Sequence, residues 1–290
     1  MRILITGADG QLGRSLQREL AAHEVVALTH TDLDVSDAAT VDAALGTHRP
    51  DAVIHAAALT DTARCEREPE LAAAVNAGGT AHVASACART GARCIAISTN
   101  EVFAGEKRTP YIETDAARAL NAYGASKLAG ERLAVAACPK TLIVRTSWLY
   151  GDGGGNSNFI EKVLAAARAG RALSFVTDEI ATPTSAADLA QAIRALIERD
   201  PPPGIYHLAD EGEASRHDWA CEILRLAGMG GVTVAAVTTE QLRAGGYAGP
   251  VKPPYSVLTN TRARALGIVL RGWQEALAAY FARARVAADG

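Results

Sequence analysis

The sequence is poor in most features that mark a specialised protein. Charge is nearly balanced, with 29 Lys and Arg against 32 Asp and Glu, a formal net charge of −3 over 290 residues. No block of like charges interrupts it. Nucleic-acid binding normally leaves a basic stripe, so no nucleic-acid partner is expected. The five cysteines, Cys65, Cys87, Cys94, Cys138 and Cys221, are odd in number, irregularly spaced and without a Cys-x-x-Cys. That excludes a disulfide framework or zinc site as an organising feature and fits reduced thiols in the cytoplasm. No apolar stretch approaches the length of a membrane span. The opening MRILITG has neither the apolar core nor the cleavage site of a secretory leader. A cytoplasmic protein without membrane contact is expected. No internal repeat or low-complexity tract is present.

What is there is an ordinary globular composition, 49% hydrophobic and 21% charged, with an informative pattern. Short apolar runs alternate with amphipathic or Ala-rich segments. Strands are expected at 2–6, 24–28, 52–56, 94–98 and 141–145, and helices at 11–22, 37–47, 70–90 and 122–137. AVIHA (52–56) and CIAIS (94–98) are apolar throughout, as strands buried on both faces are. This alternation predicts an α/β fold: a Rossmann-type, doubly wound parallel sheet with helices on both faces. After Gly151 a Gly/Asn-rich loop, 151–158, opens a more mixed region, with helices expected to 169, at 188–198 and at 272–285. Residues 205–208 (IYHL) read as a last strand returning to the sheet. The expected division is a dinucleotide-binding domain over 1–150 with a return segment at about 185–209, and a smaller C-terminal α/β substrate-binding domain over 151–184 and 210–290.

The first strand runs directly into Gly7-Ala8-Asp9-Gly10-Gln11-Leu12-Gly13, which opens a helix. This G-x-x-G-x-x-G is a shifted relative of the dinucleotide fingerprint. Glycine lets the backbone approach a pyrophosphate, and the helix N-terminus offers it unpaired N–H groups and a favourable dipole. An acid at the end of the second strand would bind the adenosine ribose and favour NAD. That strand ends Leu28-Thr29-His30, without one, and Asp34-Val35 falls later, beside the adenine. No arginine is placed to grip a 2′-phosphate either. NADPH is the expected cofactor, with NADH allowed.

Tyr123-Gly124-Ala125-Ser126-Lys127 begins the helix expected at 122–137. The i, i+4 spacing puts phenol and ammonium on one face. A free phenol titrates near pH 10, and a neighbouring cation lowers that value. Lysine can also hold the nicotinamide ribose. Thr99 stands at the carboxyl end of the fourth strand, where open α/β sheets bind ligands, and its hydroxyl can orient a carbonyl. Thr99, Tyr123 and Lys127 are therefore the catalytic candidates.

The ordered segments GADGQLG, HAAALT, EREPELAAAVNAGGT, STNEVF, YGASKLAGE, VRTSWLYG, NSNF, ATPTSAADLA and KPPYSVL closely resemble the dTDP-4-dehydrorhamnose reductase family over nearly the whole chain. The resemblance implies hydride delivery to the C4 ketone of a dTDP-linked 6-deoxyhexose, with Tyr123 protonating the oxygen, Lys127 assisting it and Thr99 orienting it. It implies cofactor contacts from the glycine turn, from Asp34 and Val35, and from Ala56, Ala57, Ala58 and Thr60. Substrate contacts are implied for Asn100, Glu101, Trp148, Asn158, Thr184, Lys252 and Ser256. A homodimer is expected by analogy alone.

The chain also departs from the family pattern. Asn100 and Glu101 replace the usual Asp-Tyr, and Lys252 stands where arginine is common. An ammonium cannot reproduce a bidentate guanidinium–phosphate contact. Ser15 replaces an acid that carries magnesium in some members, so no metal is expected. Plain structural readings compete for some residues: Trp148, Trp219 and Trp273 as packing aromatics, His55 as a buried structural histidine, and 210–213 as a solvated loop. Three alternatives stay open: the same chemistry on another nucleotide keto-sugar, an epimerase or dehydratase of the same superfamily, and a non-catalytic NADP-binding regulatory subunit resembling the beta subunit of methionine adenosyltransferase.

Overall fold

The apolar runs without polar alternation pair into a single parallel sheet. The computed structural model describes residues 1–153 and 158–289, with side chains to residue 283. The central strands are β1 (Arg2–Thr6), β2 (Glu24–Leu28), β3 (Ala52–His55), β4 (Arg93–Thr99), β5 (Leu142–Thr146) and β6 (Gly204–His207). Their order is β6-β5-β4-β3-β1-β2, all neighbours parallel. The chain winds in opposite directions on either side of β1, so the switch point lies between β1 and β3. The expected return strand takes the free edge of β5, with Ile205 paired to Ile143.

Helices α1 (Gln11–Glu19), α2 (Ala38–His48), α3 (Gly79–Thr90), α4 (Ala122–Ala137), α5 (Phe159–Arg168), α6 (Ala186–Arg199), α7 (Arg216–Leu226) and α8 (Trp273–Asp289) complete the main framework. Alternate residues of β1 feed two cores. Ile3 and Ile5 pack with Leu12 and Leu16 of α1 and with Leu189, Ile193 and Leu196 of α6. Leu4 packs on the other face with Val41 and Leu45 of α2, Val83 and Cys87 of α3, and Ala134 of α4. Burial on both faces is why the strands carry no polar alternation. All five cysteines are free, and all but Cys221 are buried.

A third core lies outside the sheet. Tyr150, Ile160, Leu164, Trp219, Ile223, Trp273, Leu277 and Tyr280 pack together there, so Trp219 and Trp273 are packing residues, as expected. Among the described residues no helix is long and apolar enough to cross a membrane.

Two expectations need correction. The helix expected over 70–90 is interrupted: Pro69–Ala72 is α-helical, Ala73–Gly78 forms a π-turn, and α3 follows. The wider turn aims Asn76 inward. Residues 210–213 are not simply a solvated loop, because Asp210 is 1% exposed. Its Oδ2 accepts the Ser185 N–H at 2.9 Å, while Oδ1 is buried without a partner. Burial pushes this carboxyl up to about 8, opposed by the Ser185 hydrogen bond and reinforced by Asp188.

The native state therefore holds a proton on Asp210 that the unfolded chain releases near pH 4, and stability falls as pH rises from about 4 to 8. Asp210→Asn, which imitates the protonated acid, should flatten this dependence. Denaturant unfolding at pH 6 and pH 8 should show the wild type losing roughly 1–3 kcal/mol more than the variant between the two.

Candidate active site

The carboxyl ends of the central strands put Thr6, His55, Thr99 and Thr146 in neighbouring positions along one edge of the sheet. The glycine turn sits at that edge, at the switch point where open α/β sheets take ligands. Gly7 has φ 67°, in the left-handed region, and a Cβ there would lie 2.8 Å from the Ala57 backbone. At Gly13 a Cβ would come within 2.3 Å of the Gly7 carbonyl oxygen, whereas at Gly10 the nearest such contact is 3.3 Å. Gly7 and Gly13 thus hold strand, turn and helix together. Gly10 begins α1 without a side-chain cap, and the first turn carries no acid. The side-chain Oε1 of Gln11 is buried without a partner. An open helix end and glycine clearance fit a dinucleotide phosphate. Asp9 is exposed beside the turn, Leu12 is buried beneath it, and Ser15 is buried in α1.

At the end of β2 the structure supplies an acid that the local sequence did not suggest. Asp32 folds back and accepts both the hydroxyl of Thr29, at 2.6 Å, and its N–H, at 2.9 Å. The carboxylate is engaged within the turn. Asp34 is engaged too, accepting from the hydroxyl and N–H of Ser36 at 2.7 and 2.9 Å. Val35 is buried against Gly79.

The 56–60 loop is clamped by a residue that sequence reasoning missed. Asn76, on the π-turn, accepts the Leu59 N–H at 2.8 Å and donates to the Leu59 carbonyl and the Ser126 hydroxyl, each at 3.0 Å. This ties Ala56, Ala57, Ala58 and Thr60 to α4. Nothing local in an Ala-rich helical sequence signals such a bulge. His55 is buried as expected, its Nδ1 2.8 Å from the Thr6 hydroxyl. Burial, with the nearby Lys127 charge, lowers it to about 3 and keeps the imidazole neutral.

Tyr123, Lys127 and Glu131 follow one another at four-residue intervals on α4. Tyr123 is half-buried beside the Thr99 hydroxyl, which favours its phenolate and so opposes part of the upward shift. Gly124 makes this possible: a Cβ there would lie 2.2 Å from the Glu101 carbonyl oxygen, so only glycine lets the 99–101 backbone rest on the helix. Lys127 is 6% exposed and donates to no protein group among the described residues. Burial lowers its ammonium to about 8, offset by Glu131. Glu131 is in turn held by a two-pronged bond from Arg145, at 2.9 and 2.7 Å, and by Ser98 at 2.5 Å. The phenol shifts opposite to the sequence expectation. Burial first, then Glu101, push Tyr123 upward, and Lys127 does not appreciably oppose them.

Beyond the phenol, the departures from the family pattern prove to be bonded to the 252–256 segment. Asn100 donates to the Ser256 hydroxyl at 2.7 Å. Glu101 accepts Lys252 at 2.8 and 3.0 Å, and Asn121 at 2.8 Å. Asn121 also caps α4 and donates to the Val251 carbonyl, another role the sequence did not reveal. Trp148 adopts φ 36°, an unusual conformation for a bulky residue and a local strain of about 1–3 kcal/mol. It stacks on Trp219 with ring centroids 5.7 Å apart. Asn158 and Thr184 are fully buried and their side chains act inside the walls. Asn158 caps α5 and donates to the Gly151 carbonyl. The Thr184 hydroxyl bonds to the Thr182 carbonyl, and its N–H holds the Trp148 carbonyl. Glu179 and Arg216, neither signalled by the sequence, complete the surroundings.

A phosphate-ready glycine turn, a buried unpaired lysine and a phenol beside a strand-end threonine are the parts of a carbonyl-reducing site. Across residues 1–286 the chain matches the family described as RmlD substrate binding domain. The chain belongs to the dTDP-4-dehydrorhamnose reductase family. It is a nicotinamide-dependent oxidoreductase of that family. A dTDP-4-dehydrorhamnose reductase from Streptomyces griseus is 40% identical over 97% of this chain and 93% of its own length. The spore coat polysaccharide biosynthesis protein SpsK of Bacillus subtilis is 38% identical over 99% of both chains. The solved dTDP-4-dehydrorhamnose reductase of Bacillus anthracis, in complex with NADP, superposes with a TM-score of 0.91 at 36% identity, covering 97% of this chain and 99% of that one.

The unequal clearances in the glycine turn of this reductase family member order its variants. Gly13→Ala should cost the most NADPH affinity, Gly7→Ala less, and Gly10→Ala least. Fluorescence titration of NADPH would check the ranking; a Gly10→Ala loss as large as that of Gly13→Ala would contradict it.

Proposed function

We propose that this protein reduces the C4 ketone of dTDP-4-dehydro-L-rhamnose with NADPH, yielding dTDP-L-rhamnose. The observation that carries the proposal is the nearness of Thr99 to Tyr123 beside an unpaired, buried Lys127. The family assignment and the NADP held by the Bacillus anthracis relative support the cofactor. NADH stays allowed, because the end of β2 presents neither a free acid nor an arginine.

Gly7, Asp9, Gly10, Gln11, Leu12 and Gly13 would hold the pyrophosphate. Asp34 and Val35 would border the adenine, and Ala56, Ala57, Ala58 and Thr60 the middle of the dinucleotide. When bound, the reduced nicotinamide supplies the hydride. The remaining work belongs to the chain. Thr99 donates to the carbonyl oxygen and orients it. Tyr123 gives its phenolic proton to that oxygen as negative charge develops. A phenol shifted upward is fully protonated at neutral pH, the state this direction of reaction requires. Lys127 would hold the ribose hydroxyls with its unpaired ammonium. Trp148, Asn100, Glu101, Lys252 and Ser256 surround the sugar, with Asn158 and Thr184 acting through the walls.

A second reading is the same reduction of a different nucleotide keto-sugar. It is favoured by the Asn100-Glu101 departure from the family pattern and by the ion pair of Glu101 with Lys252, which would border the sugar. The first reading also makes the protein a cytoplasmic enzyme and, by analogy alone, a homodimer. It assigns residues 1–150 and 185–209 to the cofactor and residues 151–184 and 210–290 to the substrate.

Purified protein given dTDP-4-dehydro-L-rhamnose should consume NADPH faster than NADH. Tyr123→Phe should lower kcat by roughly 10²–10⁴-fold while leaving NADPH binding within a few-fold of wild type. NADPH binding without turnover on this ketone, but with turnover on another nucleotide keto-sugar, would select the second reading.

A further inference from the structure

Two carboxylates and two cations from four separate segments come together beyond Tyr123. Glu179 senses Arg216, Lys252 and Glu101, and Arg216 senses Glu179, Glu101 and Tyr247. Only one pair is joined. Lys252 is bonded to both oxygens of Glu101, and Asn121 takes a further place on that carboxylate. Lys252 is therefore bound to a protein group, besides having the wrong shape for a two-pronged phosphate contact.

Arg216 is in the opposite condition. Its guanidinium lies 3.6 Å from the centroid of Trp148, with Phe159 at 5.2 Å and Trp219 at 5.5 Å. Among the described residues it makes no hydrogen bond and no ion pair; Glu179 is near enough to be felt but not bonded. A guanidinium is planar and carries its donors around its edge, so one held over an indole face keeps donors free for a ligand. Arg216 is also the first residue of α7, but that helix end is closed by the Ser215–Asp218 capping box, so the side chain supplies the free donors. Trp148 is fixed by its strained backbone, by the Thr184 N–H on its carbonyl and by the stack on Trp219. A desolvated planar cation, pre-oriented and unpaired, is matched by an anion with two acceptor oxygens set side by side.

We infer that Arg216 grips the diphosphate of the nucleotide-sugar substrate, supplying the guanidinium contact that position 252 does not make. The assignment rests on the proposed nucleotide-sugar reading. Trp148 acts as a positioning residue for the guanidinium, in addition to bordering the sugar. Glu179 opposes the anion, so its removal should favour binding.

The test is calorimetric titration of NADP-loaded protein with dTDP and, separately, with thymidine. Wild type should bind dTDP well and thymidine weakly. Arg216→Gln should lose roughly 10–100-fold for dTDP and little for thymidine, closing the gap between them. Arg216→Lys, which keeps the charge but not the fork, should recover only part of the loss. In turnover the substrate KM should rise while kcat changes little, and NADP affinity should hold. Glu179→Gln, which leaves the arginine stack in place, should tighten dTDP binding several-fold. Wild-type dTDP affinity in both Arg216 variants, or unchanged binding in Glu179→Gln, would overturn the assignment. Wild-type protein that binds no dTDP would overturn the nucleotide-sugar reading and the assignment together.

Discussion

The site depends on one close contact, the Glu101 carbonyl oxygen resting on the first turn of α4 at Gly124. Any side chain at that glycine would lie 2.2 Å from the oxygen. Because the contact is made, the end of β4 and the start of α4 are held at a single separation. Thr99 then reaches Tyr123, and Asn121 reaches both the Gly124 N–H and the Glu101 carboxylate. One helical turn further on, Lys127 comes under the same strand ends, and Glu131 meets Ser98 and Arg145. The chemistry is thus positioned by backbone clearance, and the charged network behind it keeps the helix from rotating.

Much of this was legible before any coordinates. Apolar runs without alternation marked strands buried on both faces, and the glycine spacing marked the turn at the switch point. The Tyr-x-x-x-Lys spacing marked one face of a helix, and Trp219 and Trp273 were readable as packing. Local pattern could not supply what depends on partners distant in sequence. Asn76 looks like any polar residue in an Ala-rich helix, and only the π-turn and its contacts with Leu59 and Ser126 give it a role. Asp210 looks like a loop acid, yet α6 and its preceding residues bury it. Asp32 is three residues too late to be read as the acid at the end of β2, until a tight turn brings it back. The direction of the Tyr123 shift is not legible in the spacing, which reveals a neighbouring cation but not the depth of burial or the carboxylate of Glu101, in the turn that follows β4.

The electrostatics of the two sides of the site differ in kind. Beside the glycine turn the fixed charges are few: an open helix end, an uncharged His55 and a lysine with no protein partner among the described residues. There the partial charges of the backbone do most of the work. Around Glu101 and Lys252 full charges of both signs are crowded together, partly joined and partly not. An arrangement of that kind discriminates well among ligands, because a wrong partner leaves a desolvated charge without compensation.

The Asn100–Ser256 and Glu101–Lys252 contacts span 156 and 151 residues of chain. Contacts of such long range close large loops, at an entropy cost that grows slowly with loop length. The glycine turn, the strand ends it faces and α4 all come from the first half of the polypeptide, so during synthesis they can associate while the distal segment is still inside the ribosome. On the proposed reading, the parts that would hold the dinucleotide are synthesised before residues 252–256, whose bonds to Asn100 and Glu101 close the far side of the site.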